Sequence, residues 1–273
     1  MIRTNLRTLI ISIALTSALV FYSCSDNNTN PEDQAPVIPP QQSMVMDFES
    51  FPDTSGTALQ KGMGPDNWGW AAVNIAFWNS VLTVTLVIPV AAFVESFNHE
   101  PELQPDGSWL WSYDVTVGGV NHTAKLYGKT VTGGVEWRML ISKDGGFTDF
   151  EWYAGFSNLP ATEGTWTLNK DPNDPVAFLS IEWHRDTQNS TADIKYTNIV
   201  AGDPGNGSYI FYGKTTATTY NRFYNLFGAE ANNHTDIEWN FESHIGRVKD
   251  PGHFGDESWH CWDEHLMDTT CPE

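Results

Sequence analysis

The sequence predicts a mainly β protein, an antiparallel open barrel or strongly curved sheet with an apolar helix packed in its concave face. Three observations carry this expectation. Aromatic residues make up 13% of the 273-residue chain and include 12 Trp, a strand-favouring composition. From residue 107 onward, short runs of alternating apolar and polar residues are separated by Gly, Asn, Asp and Pro. Between Asp66 and Glu95 there is no charged residue.

The strands are justified first. Trp109, Trp111, Tyr113, Val115 and Val117 fall on one face of a strand, with Leu110, Ser112, Asp114 and Thr116 on the other. Val135, Trp137, Met139 and Ile141 repeat the pattern, and Phe150, Trp152, Ala154 and Phe156 are read the same way. Further runs cover 176–185, 191–200, 207–216 and 235–243. An apolar-Glu-Trp triplet recurs at Val135-Glu136-Trp137, Phe150-Glu151-Trp152, Ile181-Glu182-Trp183 and Ile237-Glu238-Trp239. In a strand it places Trp on one face and Glu on the other. The spacing of the triplets is irregular, which excludes a regular repeat array. Period-two alternation at these intervals predicts an antiparallel meander.

The uncharged segment 67–94 matches a membrane span in length. Asn74, Asn79, Ser80, Thr83 and Thr85 interrupt it, and Pro89 would kink it. The favoured expectation is a helix buried all round, or nearly so, against the concave face, started by Asp66 or Asn67. A buried strand through the β-branched run Val81–Ile88 and a membrane span are the alternatives. A curved sheet with aromatic inner strands and one apolar helix inside it resembles the open-barrel lipoprotein carriers of the LolA, LolB and LppX type. The likeness covers roughly residues 66–245 and is architectural, without a diagnostic motif. It implies a fold that holds acyl chains within. Read from the residues themselves, Trp109, Trp111, Trp137, Trp152, Trp183 and Trp239 fill a β core as structure. As function they would line a cavity for an acyl chain or stack on sugars, a reading that rests on the set and not on one residue.

The N-terminus is read as an export signal. Arg3 and Arg7 precede an apolar stretch from Leu9 to Tyr22, which ends at Ser23-Cys24. Phe21-Tyr22-Ser23-Cys24 resembles the lipobox of bacterial lipoproteins, which implies cleavage after residue 23 and a lipid on Cys24. Ser25-Asp26 resembles the sorting residues of lipoproteins sent to the outer membrane or cell surface. Residues 24–43 are polar and Pro-containing and read as a disordered tether, leaving 44–273 as a single β-rich domain. In an exported chain Cys261 and Cys271 are expected to pair and pin the C-terminal tail.

Removing residues 1–23 takes away Arg3 and Arg7, leaving 12 basic side chains against 34 acidic ones, a formal charge of −22. So acidic a chain is repelled by nucleic acid, and nucleic acid is not an expected partner. Tyr127-Gly128-Lys129-Thr130 and Tyr212-Gly213-Lys214-Thr215 lack the upstream glycine of a phosphate loop, having Thr123 and Ser208 there. His99-Glu100 starts like a zinc-protease helix but has Leu103 where the second His belongs. His253, Asp256, His260, Asp263, Glu264 and His265 are read as a polar cap rather than a metal site. No cofactor and no enzymatic activity are expected. The expected protein is a monomeric envelope lipoprotein, anchored by lipid at Cys24 to the outer membrane, that binds a hydrophobic ligand or serves a structural role. A carbohydrate-binding or adhesion module, or a glycan hydrolase with paired carboxylates, is the alternative. Replacing Cys24 with Ser is expected to move the protein from the detergent phase to the aqueous phase of a phase-partition experiment.

Overall fold

Among the described residues the alternating runs form fourteen strands, each antiparallel to the one before it. They are β1 (Glu102–Leu103), β2 (Trp109–Val117), β3 (Val120–Val131), β4 (Gly134–Lys143), β5 (Phe150–Asn158), β6 (Glu163–Asp171) and β7 (Asp174–Asp186). Then come β8 (Thr191–Asn198), β9 (Tyr209–Lys214), β10 (Arg222–Gly228), β11 (Asn233–Trp239), β12 (Gly246–Lys249), β13 (His260–Trp262) and β14 (Asp268–Thr269). Sheet order equals chain order, and the sheet is not closed. The structure is a computed structural model that describes residues 34–52 and 66–272. The expected signal segment 1–23, Cys24 and residues 25–33 lie outside the described residues.

Helix α1 runs from Asn67 to Glu95. The Asp66 carboxylate accepts from the Gly69 amide at 2.6 Å and caps its start. The polar residues within it satisfy themselves locally. Asn74 Nδ2 donates to the Trp70 carbonyl, Thr85 Oγ1 to the Val81 carbonyl and Thr83 Oγ1 to Asn79 Oδ1. The helix ties to both ends of the sheet. At its start the Asn67 amide donates to Asp268 of β14, and Asn67 Nδ2 donates to the Cys261 carbonyl of β13. At its end the Tyr113 hydroxyl of β2 donates to the Ala92 carbonyl at 2.6 Å. Eleven strand spacings of about 4.8 Å would put β2 and β13 roughly 53 Å apart in a flat sheet. The helix is only about 43 Å long, so the sheet curves around it.

The concave face carries the core. Trp111, Trp137, Trp166, Trp183, Trp239 and Trp262 are all buried there. In all four triplets the Trp is buried, and the intervening Glu136 and Glu182 are exposed. On the convex face Glu238 pairs with Arg247 at 2.6 Å and Asp236 with Lys249 at 3.0 Å. Large rings need room on the adjacent strand. Gly155 lies opposite Trp166, and a Cβ there would run into that ring and the Thr165 carbonyl. Gly164 lies opposite Trp183, whose ring would stand 2.8 Å from an added Cβ.

Three expectations are corrected. The first concerns strand β5, where the alternation does not hold. Met139 pairs with Tyr153 and Leu140 with Glu151, so Trp152 is an extra, bulged residue. Trp152 and Tyr153 are both buried, and Phe156 is turned outward at 39% exposure. The second concerns the packed domain, which begins before residue 44. Ala35 and Ile38 lie against the core, Pro39 is buried, and Gln41–Ser43 form a 3-10 turn. The third concerns α1, which is not buried all round: its middle exposes Phe77, Val81, Val84 and Val87.

At the C-terminal end Cys261 and Cys271 form a disulfide with 5.1 Å between their Cα atoms. Asp250 caps the short helix α2 (Pro251–Phe254) and is itself buried. Burial opposes its charge, but bonds from Asn233, Thr235, Trp70 and the His253 amide outweigh that and hold its carboxyl below the usual range. The fit of rings to glycines gives a direct test. Gly155→Ala is expected to destabilise the fold by about 1–3 kcal/mol in urea unfolding. Gly228→Ala, where nothing lies within 4 Å, is expected to change it by less than about 0.5 kcal/mol.

Candidate functional site

Inside the concavity a second element lies beside α1. Residues 44–51 lie outside the sheet, irregular over 45–48 and turning at 49–51, with Met44, Met46, Phe48 and Ser50 buried and Val45, Asp47 and Glu49 exposed. This strap is held by the polar tips of inward-facing aromatic rings. The Tyr196 hydroxyl donates to the Met44 carbonyl at 2.7 Å, and the Tyr224 hydroxyl donates to the Asp47 carbonyl at 2.6 Å. Trp239 Nε1 donates to the Ser50 carbonyl at 3.0 Å, and the Tyr212 hydroxyl reaches the Asp47 carboxylate at 3.3 Å. Burial pushes the Tyr212 phenol up to about 12 and raises Tyr196 and Tyr224 as well, so all three stay protonated donors at neutral pH.

The strap and α1 leave space between them. A groove of about 680 Å³ is walled by Met44, Met46, Leu82, Leu86, Val90 and Val94. On the other flank of α1 a second groove, of about 720 Å³, is walled by Phe77, Trp78, Val81, Phe178, Leu226 and Phe227. Leu82 lines both. Between them lies the outer stripe of α1, where Phe77 is 61% exposed and Val84 76% exposed. An amphipathic surface helix would carry charge on these positions. An uncharged stripe flanked by two apolar grooves is the kind of surface that marks a binding site.

The six tryptophans read as candidate ligand-binding residues lie outside these two grooves. Trp111 and Trp137 meet with ring centroids 5.9 Å apart, and Trp137 Nε1 donates to Ser157. Trp109 is half-buried at the start of β2. Trp152 packs with Phe147 and Phe150. Trp183 is buried, and its Nε1 has no hydrogen-bond partner among the described residues. Trp239 stacks on Tyr224 at 5.2 Å under the strap. None of the six lines either groove, but Trp137 borders a separate cavity of about 800 Å³ on the sheet and Trp183 a small one of about 120 Å³. Sequence reasoning missed the groove residues. The alternation of Met44, Met46 and Phe48 with Val45, Asp47 and Glu49 was the signal for the strap.

The polar tail makes few mutual contacts. His260 meets Asp256 at 3.2 Å and stacks on Phe254, while His253 stacks on Trp70 at 3.7 Å. Cys261 is committed to the disulfide. No family model, curated protein or solved structure matches the chain.

The strap's anchoring is testable. Tyr224→Phe removes the donor to the Asp47 carbonyl and is expected to cost about 1–2 kcal/mol. Faster hydrogen exchange should be confined to amides 44–51, with the strand amides unchanged.

Proposed function

We propose that the protein is a non-enzymatic, lipid-anchored envelope lipoprotein that binds a hydrophobic, lipid-like ligand along α1. The observation that carries this reading is the exposed apolar stripe Phe77, Val81, Val84 and Val87 between two apolar grooves. Ligand sites are usually concave, mostly apolar and about 300–1,000 Å³ in volume, and both grooves fall in that range. The lipobox-like Cys24 adds the membrane attachment and the outer-membrane location that this reading includes.

The packing of the fold does not call for apolar side chains on the outer stripe. Burying that stripe under acyl chain returns about 25 cal/mol for each Å² removed from water. The inward-facing tryptophans serve the reading indirectly, by fixing the wall against which α1 and the strap are held.

The test is native mass spectrometry of the Cys24→Ser chain, before and after organic extraction. A co-purifying lipid released by extraction is the expected result. A bare chain at its sequence mass, together with no uptake of added lipid, would overturn the proposal. Val87→Glu places a charge on the groove wall at a residue that is 47% exposed. It is expected to abolish co-purification while changing stability by less than about 0.5 kcal/mol.

A further inference from the structure

We infer that the groove between the strap and α1 selects a lipid with an uncharged, hydroxyl-bearing head, of the monoacylglycerol kind, over the corresponding free fatty acid. This rests on the proposed function and names the ligand class for the same site. The apolar walls account for the acyl chain, and the polar lining decides the head.

That polar lining is Gln41, Gln42, Asn79, Thr83 and Tyr196, whose hydroxyl is committed to the Met44 carbonyl, with the acidic residues Asp47 and Glu49. Among the described residues no Lys, Arg or His lines the groove. The second groove has the same sign, with Glu230 and Asp250 and, among the described residues, no basic side chain. A fatty-acid carboxylate entering either groove gives up hydration and meets like charge with no cation to replace the lost water. A hydroxyl head suffers neither cost. It donates to Asp47 or Glu49 and accepts from the side-chain amides of Gln41, Gln42 and Asn79. An ammonium head would use the carboxylates but make no bond to those amide donors.

Asp47 is held in position. Its Oδ1 accepts from the Ser50 amide at 3.1 Å and its Oδ2 from the Tyr212 hydroxyl at 3.3 Å. These two bonds orient the carboxylate and leave lone pairs for a ligand hydroxyl. The strap thus supplies a groove wall through Met44 and Met46 and head-group acceptors through Asp47 and Glu49.

The experiment titrates the Cys24→Ser chain with monooleoylglycerol and with oleate, at a pH where oleate is ionised. Binding is read by native mass spectrometry and by displacement of a neutral fluorescent acyl probe. Monooleoylglycerol is expected to bind about tenfold more tightly than oleate. The double variant Asp47→Asn, Glu49→Gln is expected to narrow that gap by strengthening oleate binding. Equal or tighter binding of oleate to the unaltered chain overturns the head-group inference and leaves the hydrophobic-ligand reading standing. Binding of neither lipid overturns both. Adsorption to neutral vesicles without a complex with single lipid molecules also overturns both, and identifies the stripe as a membrane-docking surface.

Discussion

An open sheet has two edges, and the structure depends on how a single helix braces them. Helix α1 is bonded through Asn67 to β13 and β14 at one end and through Ala92 to β2 at the other. Between those ties its inner side meets a wall of tryptophan and tyrosine, where a charge would be stranded without a partner. That explains an uncharged inner side. It does not explain an uncharged outer side, because Phe77, Val81, Val84 and Val87 face away from the wall and are exposed. Fold stability sets no requirement for apolar residues there. Their presence is the strongest pointer to a surface that meets something hydrophobic.

The aromatic wall has its own logic. Rings as large as tryptophan fit between strands about 4.8 Å apart only where the neighbouring strand yields space. Gly155 and Gly164 yield it beneath Trp166 and Trp183. The polar tips of Tyr196, Tyr224 and Trp239 are satisfied by strap carbonyls, so the strap is where those buried donors find acceptors. The indoles of Trp68, Trp166 and Trp183 have no such partner among the described residues. At those positions the area buried outweighs a lost bond that costs about 1–3 kcal/mol.

Much of the fold was legible because it rests on local periodicity. The triplets around Trp137, Trp183 and Trp239 place ring and carboxylate on opposite faces by strand geometry alone, and the absence of charge from 67 to 94 marked the apolar helix. The errors share one cause, namely information that is not local. The bulge at Trp152 arises because β5 must follow β4 around a curved sheet, and one extra residue reverses the face of everything after it. The strap escaped notice because its partners, such as Tyr196 and Tyr224, lie 152 and 177 residues away. The two grooves beside the helix were not legible for a related reason. Tryptophan richness signals a large buried area without saying whether that area encloses a cavity. Here most of the rings pack into the wall, and the two apolar grooves lie beside the helix.

The position of that space along α1 also bears on how it is entered. The helix is held at its ends, by the Asp66 cap, Asn67 and the stacking of Trp70 on His253 at the start, and by Ala92 and Phe93 at the finish. From 77 to 88 only Leu82 and Leu86 are buried. Those two side chains line the strap-side groove, and Leu82 lines the other groove as well. The least restrained part of the helix is therefore the part that borders both grooves. Local opening draws on segments with few buried apolar contacts, and this middle section has fewer of them than either end. The brace that holds the open sheet together and the wall of the two grooves are the same helix, used at different points along its length.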